Sequence, residues 1–96
     1  MKIGIAIKKL RKERVPQLRQ SQLAEAIGIS QTYLSLIEKG KKIPSVEIYE
    51  KIAEYFKMPL PILFWYCIEE SDIPKEKWEY FRLLKPSIDK LIEVCF

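Results

Sequence analysis

The sequence predicts an all-α fold. Three observations carry that expectation. Apolar residues recur at offsets of three and four, as in Ile3, Ile7 and Leu10, and in Ile48, Ile52 and Phe56. This is the period of a helix with one buried face. No segment of useful length alternates as a half-buried strand would. Helix punctuation separates the periodic stretches: Gly28, Gly40, Ser30, Ser45, Pro74 and Pro86. With 96 residues, 48% of them apolar and 31% charged, the chain can bury one modest core and is too apolar to be disordered.

The elements follow in order. A first helix is expected from Ile3 to Arg14, with Ala6 beside its inner face. A link from Val15 to Leu18 contains Pro16. A second helix spans Gln20 to Ile27, and a third Gln31 to Lys39, closed by Gly40. Lys41 to Pro44 form a loop. Ser45 caps a fourth helix, with Glu47 and Ile48 in its first turn and Ile52, Ala53 and Phe56 buried. Met58 to Pro61 make a short connection into a fifth helix, Ile62 to Glu69. Two more helices are expected in the tail. One runs from Lys75 to Leu84 after Pro74. Pro86 then stops it and takes the first turn of a last helix ending near Cys95.

The most informative stretch is QSQLAEAIGISQTYLSLIE, residues 20–38. Leu23, Ala24 and Ile27 mark one face of a short helix, and small Ala24 lets another helix cross closely above it. Gly28 suits a left-handed helix end, where a side chain would cost about 1 kcal/mol or more. Ile29 plugs the corner, and the Ser30 hydroxyl can cap the next helix. Leu34 and Ile37 then point inward. Gln31 to Ile37 carry no charge, and amide, hydroxyl and phenol groups dominate the outward positions. Such groups can hydrogen-bond base edges or phosphates.

These residues resemble the lambda-repressor and Cro-like helix-turn-helix family. The resemblance runs from about Ile3 to Phe64. It includes Ile3-Gly4, LRKER from Leu10, QSQLAEAIGIS from Gln20, YLSLIEKGKKIPS from Tyr33 and IYEKIAEYFKMPL from Ile48, in one order and at nearly the family's spacing. The implied architecture is a five-helix lambda-repressor-like DNA-binding domain, residues 1–69, followed by two additional C-terminal helices in residues 70–96. Two departures stand out. The link before the second helix is about two residues longer than the family's. Arg19 also replaces the usual Ser or Thr cap, a loss of about 1 kcal/mol unless its guanidinium sits over a phosphate.

The resemblance implies a partner, double-stranded DNA, and assigns contacts. Arg19 and Gln20 stand where the N-terminus of the second helix meets a phosphate. Ser30, Gln31 and Thr32 open the third helix, the end that enters the major groove. Gln31 can pair with an adenine edge, and Thr32 can offer its methyl to thymine. Tyr33 and Ser35 suit the groove wall or phosphates. Leu36 matches a base-contact position but is apolar, so packing competes with a thymine contact. Lys39, Lys41 and Lys42 are backbone clamps. Arg11 and Glu38 match an ion pair that ties the first helix to the third.

Charge distribution agrees. Residues 1–44 hold ten Lys or Arg against three Glu, a net +7, and residues 45–96 hold seven against ten Asp or Glu, a net −3. A surface that binds phosphates needs such clustering.

The tail has a different chemistry. Phe64 and Trp65 lie in a helix apolar around much of its circumference, which needs partners on more than one side. Trp78, Phe81, Leu84, Ile88, Leu91, Ile92 and Phe96 form a second apolar set at helical spacing. These residues either fold back within the chain or build a homodimer interface, and both can hold. Dimerisation would suit a regulator, most simply a repressor, reading two half-sites of a two-fold-symmetric operator. The alternative is an antitoxin-like protein that holds a protein partner through this tail.

Other classes fare badly. There is no His, hence no histidine base, triad or histidine metal site. Cys67 and Cys95 lie too far apart for a zinc pattern and are expected to be reduced core thiols. The three glycines form no phosphate-cradling loop, and Glu69, Glu70 and Asp72 read as a solvated turn. No enzyme activity, cofactor, metal or small-molecule effector is expected. No apolar run is long enough to cross a membrane and no signal peptide is evident, so a cytoplasmic location is expected.

Overall fold

The computed structural model describes residues 2–13 and 16–96. The expected first-helix end at Arg14 and the start of the link at Val15 lie outside the described residues. Every regular element among the described residues is a helix: α1 (Ile3–Glu13), α2 (Gln20–Ile27), α3 (Gln31–Glu38), α4 (Val46–Tyr55), α5 (Leu60–Cys67) and α6 (Trp78–Cys95), with short 3-10 turns at Glu70–Asp72 and Lys75–Lys77 before α6. The all-α class holds.

One core gathers the first five helices. Ile7, Leu23, Leu34, Ile37, Ile52, Phe56 and Leu63 are fully buried within it, which places the predicted inner faces together. Ile29 packs on this core from the turn between α2 and α3. The helix ends follow local chemistry. Ser30 Oγ accepts from the Tyr33 N–H at 3.0 Å, and Ser45 Oγ accepts from the Ile48 N–H at 3.3 Å. Gly28 (φ 77°) and Gly40 (φ 75°) adopt left-handed conformations. After each, two N–H groups fold back onto the helix: Gly28 to Glu25 and Ile29 to Ala24, then Gly40 to Ile37 and Lys41 to Leu36. Orphan carbonyls at both helix ends are thereby satisfied.

A third helix end has the same form without glycine. Lys57 (φ 56°) occupies the left-handed position after α4, with Lys57 N–H donating to Glu54 and Met58 N–H to Ala53. Nothing local in the sequence announces a lysine there.

Several boundaries differ from expectation, and the fifth helix ends at Cys67, short of the expected Glu69. The fifth helix starts earlier, at Leu60, because Pro61 fits a first turn that needs no N–H. The larger correction concerns the tail. The two expected C-terminal helices are one, since α6 runs through Pro86. Pro86 removes one backbone hydrogen bond and crowds the preceding turn, but contacts on both sides of it hold the helix together. Phe81 lies 6.2 Å from the Trp65 ring. Asp89 accepts from the Trp65 indole at 2.8 Å and from Lys85, whose side chain spans the proline. Ile92 is buried one turn further. Lys75–Lys77, expected to open an α-helix, form a 3-10 turn instead.

The cysteines also part ways. Cys67 is a buried thiol, pushed up to about 11 by burial. Cys95 is free but exposed near the end of α6, not a core thiol.

Candidate nucleic-acid interface

The candidate interface is built on α2 and α3. Leu23, Ala24 and Ile27 of α2 and Leu34 and Ile37 of α3 are buried between the helices, which fixes their crossing and turns the opposite side of α3 outward. Gln31 and Thr32, at its N-terminal end, are exposed. Ser35 and Leu36 are half-buried, and Tyr33 packs partly on the core. A shallow groove of about 310 Å³ is lined by Gln20, Gln31, Thr32, Ser35, Leu36 and Lys39. Five of these six residues are expected contacts. Leu36, where packing competes with contact, turns out to line the groove while half-covered.

The remaining expected residues surround that groove or support it. Ser30 is exposed, with its hydroxyl engaged as the α3 cap. Lys41 and Lys42 are exposed in the loop after α3. Arg19 is exposed at the start of α2. Its guanidinium has no acceptor with which to cap the helix. Gln22 supplies the reciprocal half of a capping box, its Oε1 accepting from the Arg19 N–H at 2.8 Å. The sequence reading missed Gln22. Its signal was the spacing of a Gln three residues after the cap position.

The pairing of Arg11 with Glu38 is present and largely buried, with side chains 11% and 3% exposed. Arg11 Nε donates to Glu38 Oε2 at 3.0 Å and Nη2 to Oε1 at 2.9 Å. The third nitrogen, Nη1, donates to the Leu18 carbonyl at 3.0 Å, and the Leu18 N–H returns a bond to the Arg11 carbonyl at 3.1 Å. The Leu18 end of the link is thus held against α1. The electrostatic consequence is direct. Glu38's carboxylate is neutralised inside the fold, so the end of α3 presents Lys39 and the following lysines without an opposing acid from that helix. Glu25 of α2 lies on another surface, beside Lys51 and Glu54.

The expected interface residues of the tail divide. Phe64 stacks edge-on against Tyr49 at 5.3 Å. Trp65 and Phe81 face each other, and the Trp78 indole donates to the Ile73 carbonyl at 2.9 Å. With Ile92, these residues are engaged within the chain. Ile88, Leu91 and Phe96 are exposed. Among the described residues, no helix is long and apolar enough to cross a membrane.

Known proteins share this pattern. The sequence profile of a helix-turn-helix family matches residues 7–63. The chain is 42% identical over 62 residues to the ImmF control region 10 kDa protein of Bacillus phage phi105, covering 65% of this chain and 67% of that protein. It is 34% identical over 93 residues to the immunity repressor protein of the same phage, covering 97% of this chain. The matched region spans only 61% of that repressor's length. It is also 40% identical over 76 residues to the control protein C.MunI of Mycoplasma sp, covering 79% of this chain and 93% of that protein.

Proposed function

The chain belongs to the Cro/C1-type helix-turn-helix family of DNA-binding regulators, and from that premise we propose that it is a repressor that binds a two-fold-symmetric operator as a homodimer. The observation that carries this reading is the groove shared by Gln20, Gln31, Thr32, Ser35 and Lys39. It offers exposed amide and hydroxyl groups at the N-terminal end of α3, backed by a buried core and flanked by lysines. Relatives named as an immunity repressor, an ImmF control region protein and a control protein support a role in gene control.

In this reading α3 lies in the major groove. Gln31 accepts from and donates to an adenine edge, and Thr32 touches a thymine methyl or a neighbouring base. Leu36 reaches a thymine methyl at the groove wall. Gln20 and the N-terminus of α2 hold one phosphate, with Arg19 over it. Ser30, Tyr33, Ser35, Lys39, Lys41 and Lys42 bind the flanking backbone. Residues 1–69 form the DNA-binding domain and residues 70–96 the dimerisation extension. The protein acts in the cytoplasm and needs no small-molecule effector.

Selection from random-sequence DNA tests this reading. The expected product is a two-fold motif whose half-sites lie roughly 34 Å apart or at multiples of that spacing. Affinity should fall steeply with salt because lysines release counterions from the phosphates. An enriched motif without symmetry would contradict the homodimer, and no enriched motif would contradict sequence-specific binding.

A further inference from the structure

Helix α6 has two apolar faces, and the chain uses one. Phe81 and Ile92 lie on the face that meets α5, with the hydrogen bond between Asp89 and Trp65 between them. On the other side Tyr80, Leu83, Leu84, Leu91 and Val94 stay 54 to 73% exposed. At about 100° per residue these five fall in an arc of about 100°, with Ser87 in its middle and no charged residue inside it. These five present roughly 550 Å² of apolar side chain, near the upper limit of what a monomer usually leaves uncovered.

The spacing of this stripe identifies what covers it. Tyr80, Leu83, Ser87, Leu91 and Val94 are separated by three, four, four and three residues, an order that reads the same in both directions. A stripe of that kind is complementary to an antiparallel copy of itself. Leu83 then meets the partner's Leu91, Tyr80 meets the partner's Val94, and Ser87 meets its own equivalent on the axis. The small Ser87 lets the two helices approach closely at the centre. Two such faces bury at most roughly 1,100 Å², just above the ~1,000 Å² that a specific interface needs. The two-fold pairing is the isologous kind that closes into a dimer and leaves no free end.

We infer that the exposed face of α6, centred on Ser87, is the homodimer interface, formed by antiparallel pairing with α6 of a second copy. This inference rests on the homodimer reading above and names its contact surface. It places the interface on Tyr80, Leu83, Ser87 and Val94 as well as Leu91, with Leu84 at its margin opposite the partner's Lys90, and leaves Trp65, Phe81 and Ile92 to hold α6 onto its own domain.

Sedimentation of the full chain across a concentration series tests it, comparing wild type with Leu83→Glu and Leu91→Glu. Both leucines are exposed, and circular dichroism checks that each variant stays folded. The expected result is a wild-type dimer whose dissociation constant rises at least about tenfold in each variant, as for central interface residues. A wild-type dimer that both folded variants retain would overturn this inference and leave the homodimer reading intact. A wild-type monomer at high micromolar concentration would overturn both. Should the glutamate variants misfold, Ser87→Cys in a Cys95→Ser background decides. Mild oxidation should yield a covalent dimer through position 87, since a two-fold axis at Ser87 brings its two Cα atoms within disulfide range. Absence of that link in a non-covalent dimer would overturn the inference.

Discussion

Arg11 grips both carboxylate oxygens of Glu38 and, with its remaining nitrogen, the carbonyl of Leu18. One guanidinium thereby joins α1, the link before α2 and the end of α3. Removing either partner leaves a buried charge unpaired. Glu38→Gln should cost about 3 kcal/mol in chemical denaturation. Arg11→Met combined with Glu38→Leu should recover part of that loss, because no orphaned charge remains. A Glu38→Gln midpoint equal to wild type would show that the pair does not hold the helices.

Gly4 permits a close crossing. It is buried in the first turn of α1, where an added Cβ would collide with the Ile37 carbonyl oxygen and come within 2.8 Å of the Glu38 carbonyl oxygen. Backbone lies on the other side, so the clash cannot be relieved by a rotamer change. Gly4→Ala should therefore destabilise by about 2 kcal/mol as overpacking, although alanine favours helix by about 1 kcal/mol. A thermal melt that rises in this variant would refute the crossing.

Lys57 makes the opposite case. It occupies a left-handed helix end (φ 56°) in which a side chain is strained and glycine is not. Lys57→Gly should raise stability by about 0.5 kcal/mol, the relief of strain exceeding the added entropy of the unfolded chain. Equilibrium denaturation reads the sign directly.

Acid should loosen α6. Burial works against the Asp89 carboxylate, but hydrogen bonds from Lys85 and Trp65 outweigh it and hold the group below its ordinary value of 3.8. A depressed carboxylate contributes stability above its unfolded value, and that contribution is lost as pH falls through the folded value. Tryptophan fluorescence of wild type should change as pH falls below the ordinary carboxylate value of 3.8 and Asp89 takes up its proton. In Asp89→Asn this part of the acid response should disappear. Identical acid profiles for the two proteins would remove the Asp89 anchor.

Much of the fold is legible because its signals are local. Ser30, Ser45, Gly28 and Gly40 mark helix ends through chemistry confined to one turn, and the inward residues of α1 to α4 follow a helical period. The pairing of Arg11 with Glu38 is legible only through family resemblance, since 27 residues separate them. Continuity through Pro86 is not legible. It depends on Trp65, Phe81 and Asp89 meeting across elements, and a local rule places a break there. The same limit explains Lys57 and Gly4, whose roles arise from a helix end and a crossing that spacing alone does not reveal. For the interface, the exposure of Gln31 and Thr32 follows from the buried period of Leu34 and Ile37. The groove wall at Leu36 needs the folded positions of Gln20 and Lys39.

The central claim is that α3 reads bases through Gln31. The most direct measurement is the binding of Gln31→Ala to a selected operator and to every single-base variant of it. Wild type should discriminate at one position of each half-site by about 1–3 kcal/mol, and Gln31→Ala should lose discrimination there while retaining it elsewhere. Unchanged specificity at every position would contradict the claim.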